Sequence, residues 1–420
     1  VVVVSERTVV FGASELVVGP AGASEVDVRE DAALVADDGQ VIDVGETTEI
    51  TRAYPPENAD IAIEASGRAV VPGFVDPHTH AVFAGDRSDE FEAKLEGTSY
   101  QDLLADGGGI LRTVRATREA STDELVAGLL DHLDVMLSRG TTTVEVKSGY
   151  GLDTETECRL LEAIARADEH HPIDLVATFL GAHAVPEDEN TDSYVDHVVD
   201  EQLPAVADQG IATFCDVFCE DGVFSVEQSR RVLEAGREHG LIPKVHAEEL
   251  SHLGGTQLAA DLEAASADHL LYATDDDIAA LVDAGTIPVA LPGTAFGLGE
   301  AYADARAMLE AGAPVALATD FNPNCHSRDM GFVQTLACLG MDMTPAEALL
   351  GATSHAASAI ERTDGLGTLA VGAPADLLVL EAPRYAHLAY RFDTTAVETV
   401  LKDGRPVARN GVVPTGGERL

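Results

Sequence analysis

At 420 residues, with 45% hydrophobic and 24% charged side chains, the chain carries enough material for a large core and is long enough for two structural units. Its 73 acidic residues against 26 basic ones leave a formal charge of −47 at pH 7. A surface this acidic repels phosphate backbones and anionic lipid, which argues against nucleic-acid and membrane-surface partners.

The predicted elements begin with short strands and turns. Residues 1–4 are valines that read as a strand, with none of the basic flank of a signal peptide. Residues 34–36 and 41–44 flank Asp38-Gly39, a hairpin with an Asp-Gly turn. A strand over 71–75 follows and ends in Asp76-Pro77-His78-Thr79-His80. Ser121 and Glu124 form a capping box, and Leu125, Leu129, Leu133 and Leu137 then mark one helix face. Gly140 stops that helix before a β-branched strand over 142–146. The same order recurs, with Ser225 and Gln228 capping a helix that ends at Gly240. Further strands are expected near 173–180, 212–218, 242–246, 267–271, 287–291 and 314–319. About eight alternating units predict an α/β fold, a (β/α)8 TIM barrel over 71–364, rather than an open doubly wound sheet. No G-x-G-x-x-G follows the first strand, which weakens the doubly wound alternative further. Residues 376–380, 397–402 and 406–407, with a second Asp-Gly turn at Asp403-Gly404, look like the N-terminal end. Residues 1–70 and 365–420 are therefore expected to build one small β-sandwich domain from both chain termini.

The five cysteines are odd in number and lack the spacing of a disulfide framework. With no apolar stretch near the ~18 residues of a membrane helix, they point to a cytoplasmic protein with reduced thiols. Carboxylate excess, scarce lysine and no tryptophan read as adaptation to a salt-rich interior, where salt screens the repulsion.

Barrel enzymes place their working residues at the C-terminal ends of strands. His78 and His80 are two residues apart on a strand end, so both imidazoles can enter the barrel mouth. His246, His269 and Asp320 stand at the ends of other expected strands. One core histidine is usually a satisfied polar group; four histidines and an aspartate at strand ends indicate a metal site. Imidazoles plus a carboxylate suit zinc or iron. Glu249, three residues past His246, could take a proton, His269 could polarise or orient, and Asp320 could touch metal and shuttle the proton. Arg87 suggests an anionic substrate group, because a guanidinium forks a carboxylate well. Tyr100, Tyr150, His183 and the 216–220 segment would face the substrate. Some barrel hydrolases carbamylate a lysine to bridge two metals, but that lysine normally sits on a different strand from Lys147, so this role is not expected here.

At these residues a resemblance becomes specific. Val71-Pro72-Gly73-Phe74-Val75-Asp76-Pro77-His78-Thr79-His80 resembles the opening strand of the amidohydrolase superfamily, and Gly367-Thr368-Leu369 with Ala375-Asp376-Leu377 its C-terminal signature. Within it, Phe83–Arg87 (83–87), 145–152, 179–183 and Asp320-Phe321-Asn322-Pro323 are similar to the imidazolonepropionase family. The resemblance runs over nearly the whole chain. It implies hydrolytic opening of 4-imidazolone-5-propanoate to N-formimidoyl-L-glutamate in histidine degradation. It also implies one Zn2+ or Fe3+ per chain on His78, His80, His246 and Asp320. Arg87, Tyr100, Tyr150 and His183 would bind substrate, and Glu249 and His269 would act on water and ring. Asn322 and the two positions after Pro323 would also make contacts; there the family pattern has Gly then Ser or Thr, and this chain has Asn324 and Cys325. Expected partners are a small anionic imidazolone and, at most, a second copy in a homodimer. Metal ligation alone leaves a deaminase or another cyclic-amide hydrolase open. A non-catalytic relative would typically have lost the ligands, and all are present here.

Overall fold

The computed structural model describes residues 6–97, 108–187 and 189–414, so the strand expected over residues 1–4 lies outside them. The N-terminal end supplies β1 (Arg7–Pro20), β2 (Val26–Asp37), β3 (Gln40–Glu46), β4 (Ile61–Glu64) and β5 (Ala69–Pro72). Next come β6 (Phe74–Asp76), β7 (Thr141–Lys147), β8 (Asp174–Ala182), β9 (Phe214–Cys219), β10 (Ile242–Ala247), β11 (Ser266–His269), β12 (Ile287–Ala290) and β13 (Ala316–Leu317). The chain ends with β14 (Leu377–Leu380), β15 (Val397–Lys402) and β16 (Arg405–Arg409).

β6 to β13 pair in sequence order as one eight-stranded sheet, parallel throughout. Helices on its outside drive that arrangement. In Thr122–Ser138 both capping-box bonds form, and Leu125, Leu129, Leu133 and Leu137 are buried. In Val226–Glu238 the Ser225–Gln228 box does the same. β7 is buried at every position, as expected for a barrel strand covered on both faces. The seam between β6 and β13 closes just beyond the strands, where Thr79 bridges Phe321 in parallel fashion. There the His80 amide donates to the Phe321 carbonyl at 2.9 Å and the Thr319 hydroxyl to Asp76 at 2.6 Å. The segments that shut the barrel are thus the ones that carry His78, His80 and Asp320.

The remaining strands form a mixed sheet in the order β16-β15-β14-β5-β1-β2-β3, with β4 also on β1. The two chain ends meet where β5 runs antiparallel to β14, Val71 opposite Leu378. Its core includes Val10, Leu16, Leu34, Val70, Leu377 and Leu401. Both Asp-Gly turns are present, with positive φ at Asp38, Gly39, Asp403 and Gly404. One residue, Gly73, separates β5 from β6, and a Cβ there would collide with Thr142. The chain passes from the mixed sheet to the barrel through that bare position.

Among the described residues no helix is long and apolar enough to cross a membrane. The −47 charge has a direct physical consequence. At low ionic strength carboxylate repulsion goes unscreened, so the melting temperature should climb as KCl rises from roughly millimolar to molar concentration. A flat or falling curve in a calorimetric series would contradict salt adaptation.

Candidate active site

The floor of the barrel mouth is built by the first, fifth, sixth and eighth barrel strands. His78 and His80 follow β6 and are essentially inaccessible to solvent, as is His246 in β10. Ligand atoms of these three histidines all lie within 4.8 Å of one another. The Asp320 Oδ1 atom stands 3.6 Å from His78 Nε2 and 3.5 Å from His80 Nε2. Buried His78 Nε2 has no hydrogen-bond partner, while its Nδ1 lies 2.6 Å from Asp268. A proton held on Nδ1 leaves the Nε2 lone pair aimed at its neighbours, the arrangement typical of a metal-binding imidazole. Burial, then Lys147 for His78 and His183 for His80, holds both rings well below the usual imidazole range, as free bases. Three inward imidazoles, each with a buried ring nitrogen that has no hydrogen-bond partner, and a carboxylate fit a single metal ion.

Beneath the histidines lies a set of charges with no exposure at all. Lys147 Nζ sits 2.8 Å from Glu145 and 2.8 Å from Asp216. Lys244 Nζ donates to the Pro77 carbonyl at 2.8 Å and lies 3.8 Å from both Glu145 and Asp268. Burial raises the Asp216 carboxyl, but His246 and Lys147 outweigh it and hold it well below the carboxylate range. Burial likewise lowers Lys147, and Asp216, Glu145 and Asp268 more than reverse that. Lys147 is therefore an ammonium among carboxylates and is not presented as an amine for carbamylation. The expectation that Asp216 faces substrate is corrected here. Its Oδ2 is 3.0 Å from His246 Nδ1, on the far side of the ring from the other histidines' ligand atoms.

The walls depend on buried carboxylates that tie down loops. Glu248, at φ +50°, accepts the amides of Gly254, Gly255 and Thr256 at 2.7–2.8 Å and so caps the helix Gly255–Asp261. Glu220, after β9, accepts the Leu250 amide at 2.9 Å. Between these anchors Glu249 turns into the mouth, its Oε2 3.6 Å from His269 Nε2. Burial pushes the Glu249 carboxyl up to about 8, with Asp320 and Glu220 adding to it. His269, at φ +80°, ends β11 with neither ring nitrogen hydrogen-bonded. Such a conformation is costly for a residue with a side chain and clusters at functional sites.

Glu157 accepts the amides of Gly149, Gly151 and Leu152 at 2.7–2.9 Å and shapes the loop that presents Tyr150. Gly149 lies at φ +100°, where a Cβ would come within 2.9 Å of both His183 Nδ1 and the Leu180 carbonyl. That close approach lets His183 Nδ1 reach the Gly149 carbonyl at 3.0 Å and stack on His80. Arg87 is clamped by Glu90, which takes Nε and Nη2 on one oxygen at 2.9 Å each and the Gly109 amide on the other. Asn322 donates to Asp320 Oδ1 at 3.0 Å, and the Thr294 hydroxyl holds Oδ2.

His80, His246, Asp320, Arg87, Tyr150, His183, Glu249, His269, Asn322 and Asn324 all line one cavity of about 580 Å3. His78 lies just beneath it. Cys325 is turned away: its thiol lies 3.6 Å from the Thr319 carbonyl. Tyr100 falls outside the described residues. Glu90, Glu145, Asp216, Lys244 and Asp268 were not singled out from sequence as supports. Charges at alternate positions of apolar strands, Lys244 two before His246 and Glu145 two before Lys147, were the available signal.

Residues 69–407 match the model of the amidohydrolase family. The chain is 66% identical to the imidazolonepropionase of Haloarcula marismortui over 401 residues, 95% of this chain and 96% of that protein. It is 62% identical to that of Halobacterium salinarum over 410 residues, 96% of this chain and 98% of that protein. Among solved structures, a zinc-bound adenosine deaminase from Xanthomonas campestris superposes with a TM-score of 0.76 at 16% identity, covering 97% of this chain and 94% of that one. Ochratoxinase from A. niger gives 0.73 at 18% identity, covering 99% of each chain. At such identities these two likenesses speak for the fold alone.

Proposed function

We propose that this chain, which belongs to the amidohydrolase family and within it to the imidazolonepropionases, hydrolyses 4-imidazolone-5-propanoate to N-formimidoyl-L-glutamate. One observation carries the reading. Two histidines of the trio fit for a metal, His80 and His246, and Arg87, the one arginine among the described lining residues, face the same cavity. In this reading His78, His80, His246 and Asp320 hold one zinc or iron(III) ion. When bound, the ion supplies a Lewis acid that makes water nucleophilic at neutral pH. Asp268 and Asp216 orient the His78 and His246 rings from behind. With its raised carboxyl ionised by the positive charge of the bound ion, Glu249 would take the proton from the attacking water and return it to the departing ring nitrogen. His269 steadies the oxygen on which charge develops. Arg87, fixed by Glu90, forks the propanoate carboxylate, with Tyr150 and His183 beside the ring. We place the enzyme in a salt-rich cytoplasm, a reading supported by its five free thiols and its charge.

The direct test is to add purified protein to freshly generated 4-imidazolone-5-propanoate and follow the loss of its absorbance. No loss with metal-loaded protein in molar KCl would overturn the assignment. Arg87→Met tests how the substrate is chosen. A hydrogen bond to a charged group contributes about 1.5–3 kcal/mol, so KM should rise roughly 10–150-fold with metal content unchanged. An analogue with a neutral chain in place of propanoate should be much less affected. Equal impairment of both substrates would make Arg87 structural.

A further inference from the structure

In a chain with 73 acidic residues, an arginine without a carboxylate partner is out of place. Arg328 and Arg391 are two such residues among those described. Arg328 lies over the Phe321 ring, 5.3 Å from its centroid, and Arg391 donates to the Glu381 carbonyl at 3.0 Å. Both line a second cavity, of about 560 Å3, which shares no lining residue with the catalytic one. Arg139 lines it too, paired with Asp329. Asp329 is fully engaged, since it also accepts the Gly331 amide at 2.9 Å as the cap of the helix Met330–Gly340. The other lining carboxylate, Asp393, is exposed at the rim. Ser327, Thr394 and Thr395 add hydroxyl groups to the wall. Burial, then the like charge of Arg139, lowers Arg328 from the usual guanidinium range, as it should where positive charge lacks compensation.

We propose that this cavity binds a small dianion, a dicarboxylate or a phosphate, between the guanidinium groups of Arg328 and Arg391. Each planar fork matches one anionic group, and the two unpaired charges match a ligand carrying two. Arg328 packs over Phe321, the residue after Asp320, yet the cavity shares no lining residue with the catalytic one and needs no metal.

Isothermal titration calorimetry with sodium phosphate and, separately, with succinate tests the proposal at constant molar KCl. The proteins are the wild type, Arg87→Met, and Arg328→Gln combined with Arg391→Gln. The expected result is saturable binding of at least one probe, one per chain, to the wild type and to Arg87→Met. The double variant should bind at least ~10-fold more weakly while its circular dichroism is unchanged. Which probe binds tells phosphate from dicarboxylate. If the double variant fails to fold, Arg391→Gln alone carries the test under the same criterion. Absence of saturable heat with both probes would overturn the site, as would equal binding by the folded double variant. Loss confined to Arg87→Met would assign the heat to the catalytic cavity and overturn it as well.

Discussion

Glu249→Gln should leave the metal content of the protein at the wild-type level and lower turnover by ~10²–10⁴-fold, the range for a lost general base. The substitution is isosteric, and its surroundings are held independently of it. Glu248 caps the following helix through three amides, and Glu220 fixes the Leu250 amide. Glu249 itself makes one close approach, to His269 at 3.6 Å, and is not one of the grouped histidine ligands. Metal analysis and steady-state kinetics on the same preparation separate the alternatives. Loss of metal would make Glu249 a ligand, and near-normal turnover would make it only part of the wall.

Much of the fold was legible because local signals agreed with the global arrangement. Ser121–Glu124 and Ser225–Gln228 boxes announced helices, and glycines such as Gly140 and Gly285 announced strands. Strand lengths were less legible at the seam. The expected strands at 71–75 and 314–319 shrink to Phe74–Asp76 and Ala316–Leu317. Their neighbouring residues went elsewhere: Val71 pairs with Leu378 in the mixed sheet, and the seam is finished by Thr79, Phe321 and the Asp76–Thr319 bond. No propensity encodes which of two sheets an apolar β-branched residue will join.

In the site, residues at strand ends could be read because parity and placement pointed them inward. His78, His80, His246, His269 and Asp320 converge as that reading required. The supports were harder, since their roles are defined by partners far away in sequence. Asp268 meets His78 across 190 residues, and Lys244 meets Pro77 across 167. Glu248 and Glu249 are adjacent and identical, yet one caps a helix and the other faces the cavity. Glu248 has a positive φ and Glu249 does not. Cys325 was placed at the site by a family pattern from which this chain departs, and its thiol points to backbone instead.

Lys147→Met should cost about 3–5 kcal/mol of stability, the usual effect of removing one partner from a buried ion pair. The lysine is fully buried between Glu145 and Asp216, with Asp268 at 3.9 Å. Lys244 can compensate Glu145 and Asp268 in part, at 3.8 Å from each, but Asp216 keeps only His246 as a neighbour that could offset its charge. Methionine fills comparable volume, so the loss should come from stranded charge rather than from a void. The consequence should reach the metal, because Asp268 is hydrogen-bonded to His78 and Asp216 lies 3.0 Å from His246 Nδ1; partners behind metal ligands are typically worth 10–100-fold in affinity. Guanidinium denaturation in molar KCl and chelator competition measure the two effects. Adding Asp216→Asn removes the stranded charge, so Lys147→Met/Asp216→Asn should regain part of the stability while its metal affinity stays low, since His246 has lost its orienting carboxylate. An unchanged denaturation midpoint in Lys147→Met would show that the buried charges are not coupled as described. Recovery of metal affinity along with stability in the double variant would show that Asp216 packs beside His246 without orienting it.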